Sequence, residues 1–161
     1  MILRKRAWDV MREDFESVRD TAALGEVMRK LRKRLKGQPE AHFMVVTTET
    51  GKLAGVITAW DVLRAAEDCV LKENVGDAEE ADWDAAFGRA CTMCCGTSVK
   101  DILHKETPTV KPGAPLLLVL NELVKSRRNW VVVEEGDKPI GIILIGDLFR
   151  EITREMVQPQ A

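Results

Sequence analysis

The sequence predicts an α+β fold built from two copies of one unit, each running strand, helix, strand, strand, helix. Three observations carry this. The stretch Asp9-Val10-Met11 … Phe15-Glu16-Ser17-Val18 … Leu24 returns as Asp101-Ile102-Leu103 … Thr107-Pro108-Thr109-Val110 … Leu116. The stretch Gly55-Val56-Ile57-Thr58-Ala59-Trp60-Asp61 returns as Gly141-Ile142-Ile143-Leu144-Ile145-Gly146-Asp147. Within each copy the apolar period switches between helical and strand spacing in the same order. The first match is offset by 92 positions (9 to 101) and the second by 86 (55 to 141), so the second copy is six residues shorter. The difference falls around Lys36 to Ala41, where a helix end and a loop tolerate length changes.

The elements follow in order. Residues 1–11 read as a short lead-in helix. Phe15 to Val18 reads as a strand, after which Asp20-Thr21 offers a helix cap. Leu24, Val27, Met28, Leu31 and Leu35 recur at helical spacing, and Gly37-Gln38-Pro39 stops that helix. Phe43 to Thr47 and Leu53 to Ile57 are β-rich, with Glu49-Thr50-Gly51-Lys52 as the turn between them. A second helix begins near Trp60. In the second copy, Pro108 to Val110 is the first strand, and Leu116, Leu117, Leu120, Leu123 and Val124 give the helix face. Trp130 to Val133 and Ile140 to Ile143 are the paired strands, and Leu148 to Met156 is the closing helix.

Between the copies lies an acidic stretch, Glu67 to Asp84, read as a loop. It leads into Trp83, Phe87, Ala90, Cys91 and Cys94 at helical spacing, read as an amphipathic helix entering the second copy. The expected organisation is therefore a first unit with its lead-in over 1–67, the acidic insert and cysteine-bearing helix over 68–97, a second unit over 98–157 and a frayed tail over 158–161.

Composition narrows the function. The 161 residues suffice for one compact body in which the two copies share a core. A formal charge of −2 gives no global attraction to nucleic acid or an anionic membrane. No run approaches the ~18 apolar residues of a membrane span, and Met1 to Arg6 opens no signal-peptide core. Cys69 and the bunched Cys91, Cys94 and Cys95 do not form a secreted disulfide framework. A cytoplasmic protein is expected. The dense run Arg29, Lys30, Arg32, Lys33, Arg34, Lys36 interleaves with Leu31 and Leu35, so it reads as the solvated face of an amphipathic helix rather than a nucleic-acid site.

These residues resemble the CBS domain, named after cystathionine β-synthase. Two such motifs in tandem make the pair called a Bateman module. The most specific parts are Val10-Met11 … Asp14-Phe15 … Ser17-Val18 … Asp20-Thr21 … Leu24 … Glu26-Val27 and Gly51-Lys52-Leu53 … Gly55-Val56-Ile57-Thr58 … Asp61. The resemblance implies two β-α-β-β-α units packed sheet to sheet with pseudo-two-fold symmetry. It also implies clefts that bind AMP, ADP, ATP or S-adenosylmethionine, a regulatory role toward an unknown partner protein, and a homodimer.

Carried residue by residue, the resemblance makes Thr58 and Asp61 contacts to ribose or phosphate. Ser17-Val18 and Thr109-Val110 would meet adenine through their backbone. Asp147 repeats Asp61, but Leu144 replaces the hydroxyl of Thr58. Thr-x-x-Asp at a helix start is also a capping arrangement, and the two roles can coexist. Arg64, Arg127 and Arg128 are candidate phosphate contacts, with Lys125 and His104 behind them. Cys91, Cys94 and Cys95 fall within one helical turn and could hold zinc with Cys69, His104 or water, or sense oxidants; a structural role as small buried thiols of an amphipathic helix is the favoured reading. His42 and His104 have no hydrolase arrangement around them, and no phosphate-binding loop or dinucleotide fingerprint is present. The expected protein is a non-enzymatic ligand-sensing module needing no fixed cofactor. A structural dimerisation pair without nucleotide and a thiol or metal sensor are the alternatives.

Overall fold

The computed structural model describes residues 4–40, 42–72, 80–103 and 106–157. Its elements are α1 (Ala7–Val10), β1 (Ser17–Arg19), α2 (Leu24–Gly37), β2 (Phe43–Thr47), β3 (Leu53–Thr58), α3 (Ala59–Lys72) and α4 (Glu80–Gly96). They continue with α5 (Val99–Ile102), β4 (Thr109–Val110), α6 (Leu116–Ser126), β5 (Trp130–Glu135), β6 (Lys138–Leu144) and α7 (Ile145–Val157). The strands make two three-stranded sheets, ordered β1-β2-β3 and β4-β5-β6. The repeated element order is the predicted one.

In each copy the first two strands are parallel. Ser17, Val18 and Arg19 align with Val45, Val46 and Thr47. Thr109 and Val110 align with Val132 and Val133. Parallel neighbours need a crossover, and α2 and α6 supply it. β5 and β6 run antiparallel, Trp130 opposite Leu144 through Val133 opposite Gly141. In the first copy Gly51 takes φ +82° in the tight turn after β2, a backbone that favours glycine.

The chain divides into two compact units that do not coincide with the two copies. One comprises Glu16–Thr50 and Ala54–Lys105; the other comprises Met1–Phe15, Gly51–Leu53 and Glu106–Ala161. This corrects the expected boundaries at both lead-in segments. The segment ahead of the first copy folds with the second. The Ala7 N–H donates to the Ala114 carbonyl at 2.8 Å and the Trp8 N–H to the Pro112 carbonyl at 3.1 Å. Arg12 and Ile142 exchange both backbone bonds, at 2.8 and 3.0 Å. Fully buried Ala7 then joins Leu116, Val119, Val131, Val133, Ile143 and Leu148 in one core.

The segment ahead of the second copy does the same for the first. The Leu24 N–H donates to the Thr97 carbonyl at 2.8 Å, the Val99 N–H to the Ala22 carbonyl at 2.9 Å and the Lys100 N–H to the Asp20 carbonyl at 3.2 Å. Fully buried Val99 packs with Leu24, Val27, Leu31, Met44, Val46 and Ile57. Each such side chain contributes roughly 1.5–3 kcal/mol. These bonds also move the start of α2. Its N-cap is Ala23, with no side-chain cap, because the 97–100 segment occupies the place expected for an Asp20-Thr21 cap.

Two further expectations are corrected. Glu67 to Lys72 are not loop but the last turns of α3; residues 73–79 lie outside the described residues. Helix α4 packs on α3 and α2, in the unit of the first copy. Its buried stripe is Ala86, Ala90 and Cys94, whereas Trp83 and Phe87 are exposed. Small residues at i, i+4 and i+8 let two helices approach closely, so the bulky ones face outward.

Two substitutions test the exchanged segments. Val99→Ala should destabilise the protein by about 2 kcal/mol through lost burial and a cavity, measured by urea unfolding. A Cβ on Gly141 would lie 2.6 Å from Met11 Sδ and 3.0 Å from Met11 Cβ. Gly141→Ala should therefore cost about 1–3 kcal/mol, while Gly146→Ala, with open space around it, should not lower stability.

Candidate functional site

Each unit carries a cleft at the carboxyl end of its parallel strand pair, beside the start of the crossover helix. The first, about 490 Å³, is lined by Ser17, Val18, Arg19, Thr21, Ala22, Glu26, Lys30 and Thr47. The second, about 620 Å³, is lined by Thr109, Val110, Lys111, Gly113, Ala114, Leu118, Glu122 and Glu134. Both volumes fall within the range of small-molecule sites. Ser17 and Val18 line the first cleft, and Thr109 and Val110 line the second. Val18 and Val110 are buried, and the outward-facing hydroxyls belong to Ser17 and Thr109.

Sequence reasoning missed the cations of these clefts. Arg19 ends β1 and Lys111 follows β4, at repeat-equivalent positions 92 residues apart. The retained charge in both copies was the signal. Lys30, read as a solvated charge, also lines the first cleft and pairs with Glu26 at 3.3 Å.

Thr58 and Asp61 come together at the junction of β3 and α3, both buried. The Thr58 N–H donates to Asp61 Oδ2 at 2.9 Å and the Thr58 hydroxyl donates to the same oxygen at 3.0 Å. The Asp61 N–H donates back to Thr58 Oγ1 at 3.3 Å. This is a reciprocal cap, which satisfies two backbone donors at the helix start and sets a carboxylate where the helix dipole favours it.

The second copy solves the same junction differently. Leu144 offers no hydroxyl, and Asp147 is held by arginines. Arg12 Nε donates to Asp147 Oδ2 at 2.7 Å and Arg12 Nη2 to Oδ1 at 3.0 Å. Arg150 donates to Oδ1 as well. The two-pronged Arg12 contact is the stronger type of charge-assisted bond. Burial pushes the Asp147 carboxyl up, but the bonds and charge of Arg12, then those of Arg150, outweigh it and hold the group below the usual carboxylate range. Lys5 from the same lead-in binds Glu151 one turn along α7 and holds its carboxyl below the usual range too. Nothing in local periodicity pointed to Arg12, which lies 135 positions from Asp147.

The remaining candidates do not converge on either cleft. Arg64, Lys125 and Arg127 are exposed, and Arg127 caps α6 in the left-handed region. Arg128 lies over the Trp130 ring, 5.7 Å from its centre. His104 lies outside the described residues. Among the described residues no three of His, Cys, Asp or Glu are placed to hold a metal. Cys94 turns inward to hydrogen-bond Cys69, while Cys91 and Cys95 are exposed. Burial, then the Cys69 bond and neighbouring thiols, push the Cys94 thiol up to about 12, so it is a poor nucleophile.

Comparison with known proteins decides the family. The CBS domain model matches residues 7–68 and 99–154. The chain belongs to the CBS domain family. Solved structures agree with the CBS pair fold. A CBSX2 structure in complex with AMP superposes with a TM-score of 0.66 at 16% identity, over 94% of this chain and 98% of that one. The CBS domain pair of protein MJ0100, in complex with 5′-methylthioadenosine and S-adenosyl-L-methionine, gives 0.67 at 18% identity over 94% and 98%. The cytosolic domain of the Mg²⁺ channel MgtE in complex with ATP gives 0.66 at 18% identity; the match covers 91% of this chain and 48% of that one, so the CBS pair spans about half the length of that structure. No curated protein matches the chain. No helix of the described residues is long and apolar enough to cross a membrane.

The Asp147 linkage is testable. A carboxyl held low in the folded state adds stability that is complete above its unfolded pKa of roughly 4 and is lost as pH falls through the lower folded value. Arg12→Ala should lower stability by about 1–3 kcal/mol at pH 7. It should also flatten the loss of stability below pH 4, read from urea midpoints at stepped pH.

Proposed function

We propose that this chain is a regulatory CBS pair that senses an adenine nucleotide or an adenosyl ligand. The observation that carries the reading is the pair of matching clefts. Each combines a strand backbone edge, a hydroxyl (Ser17 or Thr109) and a cation (Arg19 or Lys111) at repeat-equivalent positions. The backbone edge suits a base, and the cation suits a phosphate or a carboxylate. Crevices at the carboxyl ends of parallel strands are common ligand sites. Thr58 and Asp61 stand at the opposite end of the sheet from the first cleft, where the Ala59 N–H meets the His42 carbonyl, and are proposed as ribose contacts at that separate position, since a vicinal diol can donate twice to one carboxylate. AMP, ATP, S-adenosylmethionine and 5′-methylthioadenosine in the similar structures support this ligand class.

The proposed role is non-catalytic and cytoplasmic. Ligand binding would change contacts with a regulated partner. The chain would act as a homodimer, for which the exposed Trp60 and Leu63 on α3 and Ile145 and Phe149 on α7 offer apolar contact.

Thermal shift with AMP, ADP, ATP and S-adenosylmethionine tests the ligand. A binder at ~100 times its Kd should add about 2.7 kcal/mol of stability. Asp61→Asn should abolish the shift, and Arg19→Gln or Lys111→Gln should weaken ATP more than S-adenosylmethionine if the cations meet phosphate. Absence of any shift at millimolar concentration sinks the reading.

A further inference from the structure

The two clefts are lined by the same set of positions, taken from the two copies. Ser17, Arg19 and Ala22 of the first return as Thr109, Lys111 and Ala114 of the second, 92 positions on. The crossover helices contribute at the same spacing, with Glu26 and Lys30 on α2 and Leu118 and Glu122 on α6. The middle strand completes each cleft. Thr47 follows Val46, which aligns with Val18, and Glu134 follows Val133, which aligns with Val110. The frame is retained, and the differences lie mainly in charge.

In the first cleft Lys30 pairs with Glu26 at 3.3 Å, which leaves Arg19 as the surplus charge. In the second, Glu122 stands in the place of Lys30, Leu118 in that of Glu26 and Glu134 in that of Thr47. Lys111 now faces two carboxylates, so the lining is net negative where the first is net positive. Among the described residues neither glutamate has an ion-pair partner. A phosphate chain entering the second cleft would meet like charge, which discriminates against it. The same lining suits a ligand with one carboxylate for Lys111, cationic centres for the glutamates and an apolar stretch against Leu118 and Ala114.

Resting on the adenosyl ligand class proposed above, we propose that charge sorts the two clefts. The first takes a phosphate-bearing adenosyl nucleotide through Arg19. The second takes a zwitterionic adenosyl ligand with surplus positive charge, the chemistry of S-adenosylmethionine. Its carboxylate meets Lys111, and its ammonium and sulfonium meet Glu122 and Glu134. The chain then reads two chemically distinct ligands rather than one ligand twice.

Calorimetric titration of ATP and of S-adenosylmethionine into the full chain, each alone and with the other saturating, tests this. Each should bind once, and neither should displace the other. Glu122→Gln and Glu134→Gln should each weaken S-adenosylmethionine about fivefold and leave ATP at the first cleft unchanged, while Arg19→Gln should do the reverse. Glu122→Lys should move the second cleft toward ATP, and Lys30→Glu the first toward S-adenosylmethionine, each by about tenfold. Added salt should shrink these shifts. Competition of the two ligands for one site, or preferences that the variants leave unchanged, overturns the sorting. Tripolyphosphate and spermidine carry the charges without adenosine and separate the two readings. Amide resonances of Arg19 and Thr21 should move with tripolyphosphate, and those of Lys111 and Gly113 with spermidine. That pattern without adenosyl binding removes the ligand class and upholds the sorting; adenosyl binding without that pattern does the opposite.

Discussion

The backbone bonds of the two lead-in segments are the constraint on which the rest of this structure depends. Each sheet has only three strands, and its core is too small to be closed by one copy's own elements. Residues 5–12 finish the core of the second copy with Ala7, and residues 97–102 finish that of the first with Val99. These are main-chain bonds to loop carbonyls and N–H groups, so they fix position without requiring a particular side chain. They start α2 at Leu24, and they bring Arg12 to Asp147.

Function follows from what is left at the strand ends. The parallel pairs β1-β2 and β4-β5 each open a cleft at their carboxyl ends, with a hydroxyl and a cation at matching positions. At the opposite ends of the sheets, beside His42 and Asn129, the strand-helix junctions have diverged. One is a neutral hydroxyl cap on an aspartate; the other is an aspartate neutralised by two arginines. A buried carboxylate cannot stand unpaired, so loss of the hydroxyl at Leu144 left a need that a guanidinium meets.

Much of the fold was legible in the sequence. The Gly55 and Gly141 strands, the Leu24-Val27-Leu31 stripe and the Gly37 stop are local patterns, and local patterns survive folding. The Thr58-Asp61 cap was legible for the same reason. Domain membership was not. Helix α1 has only four residues, and its bonds go to backbone groups more than a hundred positions away, which leave no side-chain signature. The cysteine helix misled because Trp83 and Phe87 share helical spacing with Ala90 and Cys94, yet only the small residues can enter a close helix contact. Arg12 was invisible because its partner lies at the far end of the chain.

The crossed ownership of the lead-in segments bears on how a duplicated chain comes to exist at all. A chain with a single copy would possess one lead-in and one sheet. Two such chains trading lead-ins would rebuild both units seen here, as a swapped dimer whose integrity depends on concentration. Joining the copies in one polypeptide turns that exchange into an intramolecular event, with an effective concentration that can reach millimolar. Fusion also frees the two copies to differ. Once both lead-ins belong to one chain, one of them can carry an arginine to its aspartate while the other does not have to match it.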